Sequence, residues 1–331
     1  MRREEVLSMF PEYMRGRWEN VAAQADCLQE IRLRVNMPAA VFINHREWFV
    51  DSTGRLTDKP AQKAVSTSEE LEAVIKHLCQ YSLYAFADEI RQGFLTVQGG
   101  HRVGLAGQVI LDGDEKIRNL KYIRYLNIRI AHEIKGVSDS LLPCLYDEKG
   151  VFYNTLLISP PGCGKTTMLR DLVRNVSNGN ACGAGMNVSV VDERSEIAGS
   201  YLGVAQNDVG IRTDVLDGCP KREGMMMLIR AMAPQVLAVD ELGSDGDIQA
   251  LQTASSCGCK LIATIHGSSL EEVRHKKYMC NVIENRLFDR YVVLTRRNGS
   301  CEVEGVYNEE GLEIRTDVWY NTEKCLYKGF V

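Results

Sequence analysis

The sequence has no run of apolar residues approaching the roughly 18 that a membrane-spanning helix needs, so contact with a bilayer is expected to be peripheral or made through a partner. Met1-Arg2-Arg3-Glu4-Glu5 leads into no apolar segment of the secretory kind. The 11 cysteines include no CxxC pair, only a CxC at Cys257 and Cys259. Irregularly spaced and odd in number, they read as reduced, mostly buried thiols rather than as a disulfide frame or metal site. Basic charge is not in excess. A net charge of −5 argues against stable binding to nucleic acid, whose phosphates call for a basic surface. No internal repeat and no long low-complexity tract occurs.

What remains is an ordinary globular balance, 45% hydrophobic and 25% charged, with 331 residues to supply two buried cores. The first part, residues 1–145, is expected to be an α+β domain. Leu28 to Val35 alternates apolar and charged residues, as a half-buried strand does, and Ala39–Ile43 and Trp48–Val50 can pair with it. Thr67-x-x-Glu70 is a capping box, and Leu71, Val74, Ile75 and Leu78 then fall on one helical face. Gly93 to Ile110 reads as strand, Gly-Gly turn, strand, and Tyr122 to Ala131 adds another alternating stretch.

The second part, residues 146–331, changes period. Apolar strands at Val151–Ile158, Val188–Val191, Val236–Val239 and Leu261–Ile265 alternate with helical patterns near Thr166–Val176, Lys221–Ala233 and Ser244–Ser256. Near-continuous apolar strands separated by helices predict an α/β fold with a mostly parallel sheet covered on both faces. A hairpin around Asn298-Gly299 follows.

Four strand ends carry chemistry. Ser159-Pro160-Pro161-Gly162-Cys163-Gly164-Lys165-Thr166-Thr167 follows a strand and opens a helix. Its glycines let backbone N–H groups approach phosphate oxygens, and the helix start adds partial positive charge. Residues Pro160 to Thr167 are therefore the candidate nucleotide loop, with Lys165 reaching the β- and γ-phosphates and Thr166 ligating Mg²⁺. Ser159 stands where the P-loop pattern has its first glycine. The strand Val236–Val239 runs into Asp240-Glu241. Asp240 is the expected second metal ligand and Glu241 the group that polarises the attacking water. Val188–Val191 runs into Asp192-Glu193, so Glu193, with Glu196 nearby, is a candidate for ordering water or metal; the alternative is a surface carboxylate paired with Arg194. Leu261–Ile265 runs into His266, placed to sense the γ-phosphate or position water. Arg212, Arg230, Arg102 and Arg129 are candidates for stabilising transition-state charge. No Asn-Lys-x-Asp occurs, which favours ATP over GTP.

The segments Ser159–Thr167, Val190–Glu196, Leu237–Glu241 and Ala263–Gly267 follow the order of the P-loop, Asp, metal-and-base and His boxes of secretion and type IV pilus ATPases. More narrowly, 100–104, 127–131, 192–197 and 208–216 resemble the stage III sporulation protein AA family across both parts of the chain. The second box reads Val-Asp-Glu-Arg where pilus motors have Glu-Asp-Pro. The resemblance implies a RecA-like P-loop core and an ATP- and Mg²⁺-dependent, ring-forming motor, a hexamer with nucleotide between subunits. It also implies a place in the mother-cell cytoplasm, peripheral to the membrane through membrane proteins of a sporulation channel to the forespore. In such a ring Arg102 or Arg129 would be the finger supplied to a neighbour. Two other readings share the core: a nucleic-acid-stimulated ATPase, with short basic clusters at 274–277 and 296–297, and an ATP-switched structural ring with little hydrolysis.

Overall fold

The structure is a computed structural model and describes residues 2–60, 64–113, 117–297 and 300–314. The turn residues Asn298 and Gly299 lie outside them. The chain divides into two compact units, Met1–His132 with Gly199–Gln206, and Glu133–Ala198 with Asn207–Val331.

The first unit contains α1 (Arg2–Ser8), α2 (Arg15–Ala22), β1 (Leu28–Arg34), β2 (Ala39–Ile43), β3 (Arg46–Val50), β4 (Leu56–Thr57), α3 (Ser68–Leu78), α4 (Ala87–Gln92), β5 (Phe94–Val97), β6 (His101–Leu111) and β7 (Ile117–Arg129). Its strands form one antiparallel sheet in the order β4-β3-β2-β1-β7-β6-β5. The capping box forms as predicted: the Thr67 hydroxyl accepts from Glu70 N–H while the Glu70 carboxylate accepts from Thr67 N–H. Leu71, Val74, Ile75 and Leu78 are buried against the sheet residues Ile31, Leu33 and Ile128. Helices α1 and α2 carry no clear apolar period. They are held by burial of Phe10 and Trp18, whose rings stack with centroids 4.3 Å apart. Residues 199–206 join this unit late in sequence: Tyr201 accepts a hydrogen bond from Gln80 (2.7 Å), and Gln206 accepts one from Gly99 N–H (2.9 Å).

The second unit contains β8 (Thr155–Ser159), α5 (Lys165–Asn178), β9 (Val188–Asp192), β10 (Thr213–Asp217), α6 (Lys221–Met232), β11 (Val236–Val239), α7 (Asp245–Ser256), β12 (Lys260–His266), α8 (Leu270–Arg274), α9 (Cys280–Glu284), β13 (Arg290–Arg297) and β14 (Ser300–Asn308). The sheet order is β10-β9-β11-β12-β8-β13-β14, parallel throughout except for the β13–β14 hairpin. This is the expected α/β architecture. Every residue of β8, β9 and β11 is buried, which accounts for their mostly apolar character. The β8 strand starts at Thr155 rather than Val151, because the Asn154 N–H donates to the Asp289 carboxylate (2.8 Å) and Phe152 pairs back with Tyr146. Strand β10 was not apparent from periodicity: it is a half-exposed sheet edge of five residues, two of them Asp.

Candidate functional site

Parallel strands in one sheet deliver their carboxyl ends to one edge. Here that edge collects Ser159, Asp192, Asp240 and His266, with Ser159 and His266 as direct register partners. The loop after β8 turns through Gly162 (φ +74°) and Gly164 (φ +89°), left-handed conformations that favour glycine. At Gly164 a Cβ would also lie 2.9 Å from Cys301 Cβ. Ser159, by contrast, is the last residue of β8 in extended backbone, so nothing in its conformation calls for the glycine of the motif.

Helix α5 begins at Lys165, whose side chain is 7% exposed and donates to Asp240 Oδ1 at 3.0 Å. Thr166 donates to the other carboxylate oxygen at 2.8 Å. Thr264, buried in β12, donates to Asp240 Oδ1, and its Oγ1 accepts from Glu241 N–H at 2.8 Å. Burial pushes the Asp240 carboxyl up, but the Lys165 charge and the hydrogen bonds from Thr264, Thr166 and Lys165 outweigh it and hold the group below the usual carboxylate range. Asp240 is therefore an ionised, hydrogen-bonded anion beside a threonine hydroxyl. Two hard oxygens meeting there fit Mg²⁺, which takes few protein ligands and completes its shell with phosphate and water.

Glu241 follows in the left-handed region (φ +54°), a conformation that costs a non-glycine residue about 1 kcal/mol or more. The Thr264 hydroxyl fixes it there. The carboxylate faces His266 Nε2 at 3.2 Å and Arg194 at 3.9 Å. His266 Nδ1 lies 3.4 Å from Ser159 O. Pro160, Pro161, Gly162, Gly164, Lys165, Thr166 and Thr167 line one cavity of about 350 Å³ with Arg194, Glu196, Asp240, Glu241 and His266.

The remaining candidates are placed differently. Cys163 is buried and does not line that cavity. Glu193 pairs with Lys221, not with Arg194, and borders a smaller cavity shared with Asp240 and Glu241. Arg212 is not brought to the crevice: its guanidinium donates to Ser177 O at 2.9 Å, at the carboxyl end of α5, so it caps the far end of the helix that Lys165 begins. Arg230 is exposed on α6. Arg102 and Arg129 belong to the first unit, where they are register partners on β6 and β7. The Arg102 guanidinium stacks over Phe94, 3.9 Å from the ring centroid.

Sequence reasoning missed Thr264 and Arg194, and it passed over Asp192 as a strand tip. The signal for Thr264 was a hydroxyl inside an otherwise apolar strand. Asp192 is almost fully buried and accepts from the N–H groups of Glu196, Ile197 and Ala198 at 2.8–3.0 Å. Burial pushes its carboxyl up to about 6, those three hydrogen bonds opposing the shift.

The chain is 37% identical over 308 residues to the stage III sporulation protein AA of Bacillus subtilis (strain 168), covering 93% of this chain and 95% of that protein. Among solved structures, the Legionella pneumophila ATPase DotB superposes with a TM-score of 0.55 at 14% identity, over 91% of this chain and 82% of that one. The pilus retraction motor PilT with bound ADP gives 0.56 at 13% identity, over 91% and 84%. These two likenesses identify the RecA-like P-loop fold. The family model "Sporulation stage III, protein AA" matches residues 1–314, and it is to this family that the chain belongs.

Proposed function

We propose that the protein is a Mg²⁺-dependent ATPase that works as a ring-forming motor, a hexamer, energising a secretion-like channel between mother cell and forespore. The observation that carries the reading is the convergence of Lys165 and Thr166 on the two oxygens of Asp240, with Glu241 and His266 on the same cavity. Lys165 exchanges its contact with Asp240 for the β- and γ-phosphate oxygens. The loop 160–167 encloses the phosphates with backbone N–H groups at the start of α5, where the first helical N–H groups have no partner within the helix. Thr166 and Asp240 would hold Mg²⁺. When bound, the metal neutralises charge on the phosphates being separated. Glu241 orients and deprotonates the water, and His266 holds the Glu241 carboxylate in place. Glu193, fastened to Lys221, helps to order the edge of the site.

The sporulation role rests on family membership and on full-length similarity to the Bacillus subtilis protein. The ring rests on the arginines: Arg102 and Arg129, side by side on one face of the first unit's sheet, are proposed as fingers offered to a neighbouring subunit. The protein would act in the mother-cell cytoplasm, held at the membrane by proteins of the channel; no described helix is long and apolar enough to cross one.

The test is ATP turnover by full-length protein across a concentration series, with its mass measured with and without a non-hydrolysable ATP analogue. Specific activity should rise as protein is concentrated, and the analogue should favour the ring. Lys165→Ala should abolish binding or turnover. Equal turnover by wild type and Lys165→Ala, or folded protein that takes up no adenine nucleotide with magnesium, would sink the reading.

A further inference from the structure

The loop after β9 is braced on nearly every side. Asp192 holds the N–H groups of residues 196–198. Arg170 on α5 donates to the carbonyls of Glu196 and Ile197, at 2.6 and 2.5 Å. Ser195 donates to Asp217 at 2.7 Å, and Glu193 is fastened to Lys221. This braced backbone carries Arg194, whose side chain borders the cavity lined by the phosphate loop, Asp240 and Glu241 and the smaller one beside it. Its side chain is 64% exposed, and its contact there, with Glu241 at 3.9 Å, is of ion-pair length and too long for a hydrogen bond.

Charge decides what that arginine is for. Among the described residues lining the cavity, the permanent cations are Lys165 and Arg194, and Lys165 is held on Asp240 at 3.0 Å. A triphosphate brings several negative charges into a crevice that already holds Asp240, Glu241 and Glu196. Both side chains of the Arg194–Glu241 pair are exposed to solvent, so the pair is weak and phosphate displaces it readily. A planar guanidinium matches two phosphate oxygens at once, and a carboxylate 3.9 Å away does not use that geometry.

We propose that Arg194 is a γ-phosphate ligand acting within its own subunit, parked on Glu241 until ATP arrives. The assignment rests on the ATPase reading above. On ATP binding the guanidinium moves to the γ-phosphoryl oxygens and Glu241 is freed for its water. The water oxygen then forms a bond to the γ-phosphorus as the bond to the β-bridging oxygen breaks. ADP leaves with that electron pair, Glu241 takes the water proton, and inorganic phosphate is the other product. ADP offers no γ-phosphate, so Arg194 stays on Glu241. The same residue thus makes the site distinguish ATP from ADP.

The experiment compares full-length wild type, Arg194→Ala and Arg194→Lys for affinity toward fluorescent ATP and ADP analogues and for steady-state turnover. Arg194→Ala should bind ADP within about twofold of wild type, bind ATP about tenfold more weakly and lose about 1,000-fold or more in kcat, on the scale of removing a phosphoryl-transfer arginine. Arg194→Lys, keeping charge without the fork, should fall between them. Unchanged kcat and ATP preference in Arg194→Ala would overturn the assignment, as would an equal loss of ATP and ADP affinity, which marks a merely structural residue. Wild-type protein that binds neither nucleotide would remove the site itself and the assignment with it. Normal wild-type binding abolished by Lys165→Ala, beside an Arg194→Ala variant that behaves as wild type, would overturn this assignment alone.

Discussion

His266 Nε2 lies 3.2 Å from Glu241 Oε1, one residue ending β12 and the other standing two residues beyond the end of its neighbour β11. The pairing gives the carboxylate a fixed orientation while leaving its second oxygen toward Arg194 and the cavity. The general-base role proposed for Glu241 calls for a carboxylate held on one side and open on the other.

Glu241→Gln keeps the side chain's shape and removes its basicity. The variant should bind ATP as wild type does and lose about 100-fold or more in turnover, the scale of a lost general base. His266→Ala leaves the base in place but unoriented, so its loss should be smaller, about tenfold. Single-turnover chemistry with labelled ATP checks both, and a Glu241→Gln variant that hydrolyses at the wild-type rate would remove Glu241 from the mechanism.

Thr264 links Asp240 and Glu241, the carboxylates proposed for metal and water, donating to Asp240 and accepting from Glu241 N–H. Thr264→Val retains the branched shape but strands that N–H and strips one hydrogen bond from Asp240. Stability should fall by about 1–3 kcal/mol, and the magnesium concentration giving half-maximal turnover should rise. Thermal unfolding and a magnesium titration read the two effects. A stability loss with unaltered magnesium dependence would confine Thr264 to structure.

Asp192 sets a pH dependence. Its folded value of about 6 lies above the ordinary 3.8, so the folded state holds the proton more tightly than the unfolded state does. The associated stability is fully present below the ordinary value and is lost as pH rises through about 6. For this one group the change is about 3 kcal/mol. Asp192→Asn cannot titrate. Between pH 4 and 7 the stability difference should therefore move in the variant's favour by about that amount. Denaturant midpoints of the two proteins across that range measure it, and a pH-independent difference would contradict the assignment.

Much of the fold was legible because its signals are local. The capping box at Thr67–Glu70 and the apolar runs at Val188, Val236 and Leu261 depend on neighbours within a few residues, and they appear as α3, β9, β11 and β12. Helices α1 and α2 escaped notice because burial of Phe10 and Trp18, rather than periodicity, stabilises them. Edge strand β10 escaped because a half-exposed edge imposes little pattern.

By itself, the order of residues determined which groups make up the candidate site: a lysine and a threonine after paired glycines, and acids at the tips of apolar strands. Chain connectivity places each of these at a strand end whatever the rest of the molecule does. Only the tertiary structure decided which of them meet. Strand order brought Asp240 to Lys165 and Thr166, His266 to Glu241, and Thr264 between the two carboxylates. It also sent Arg212 to the far end of α5, turned Arg194 into the cavity and gathered residues 199–206 into the first unit. Those outcomes depend on hydrogen bonds and charge pairs between segments far apart in sequence, and no spacing along the chain records such distances.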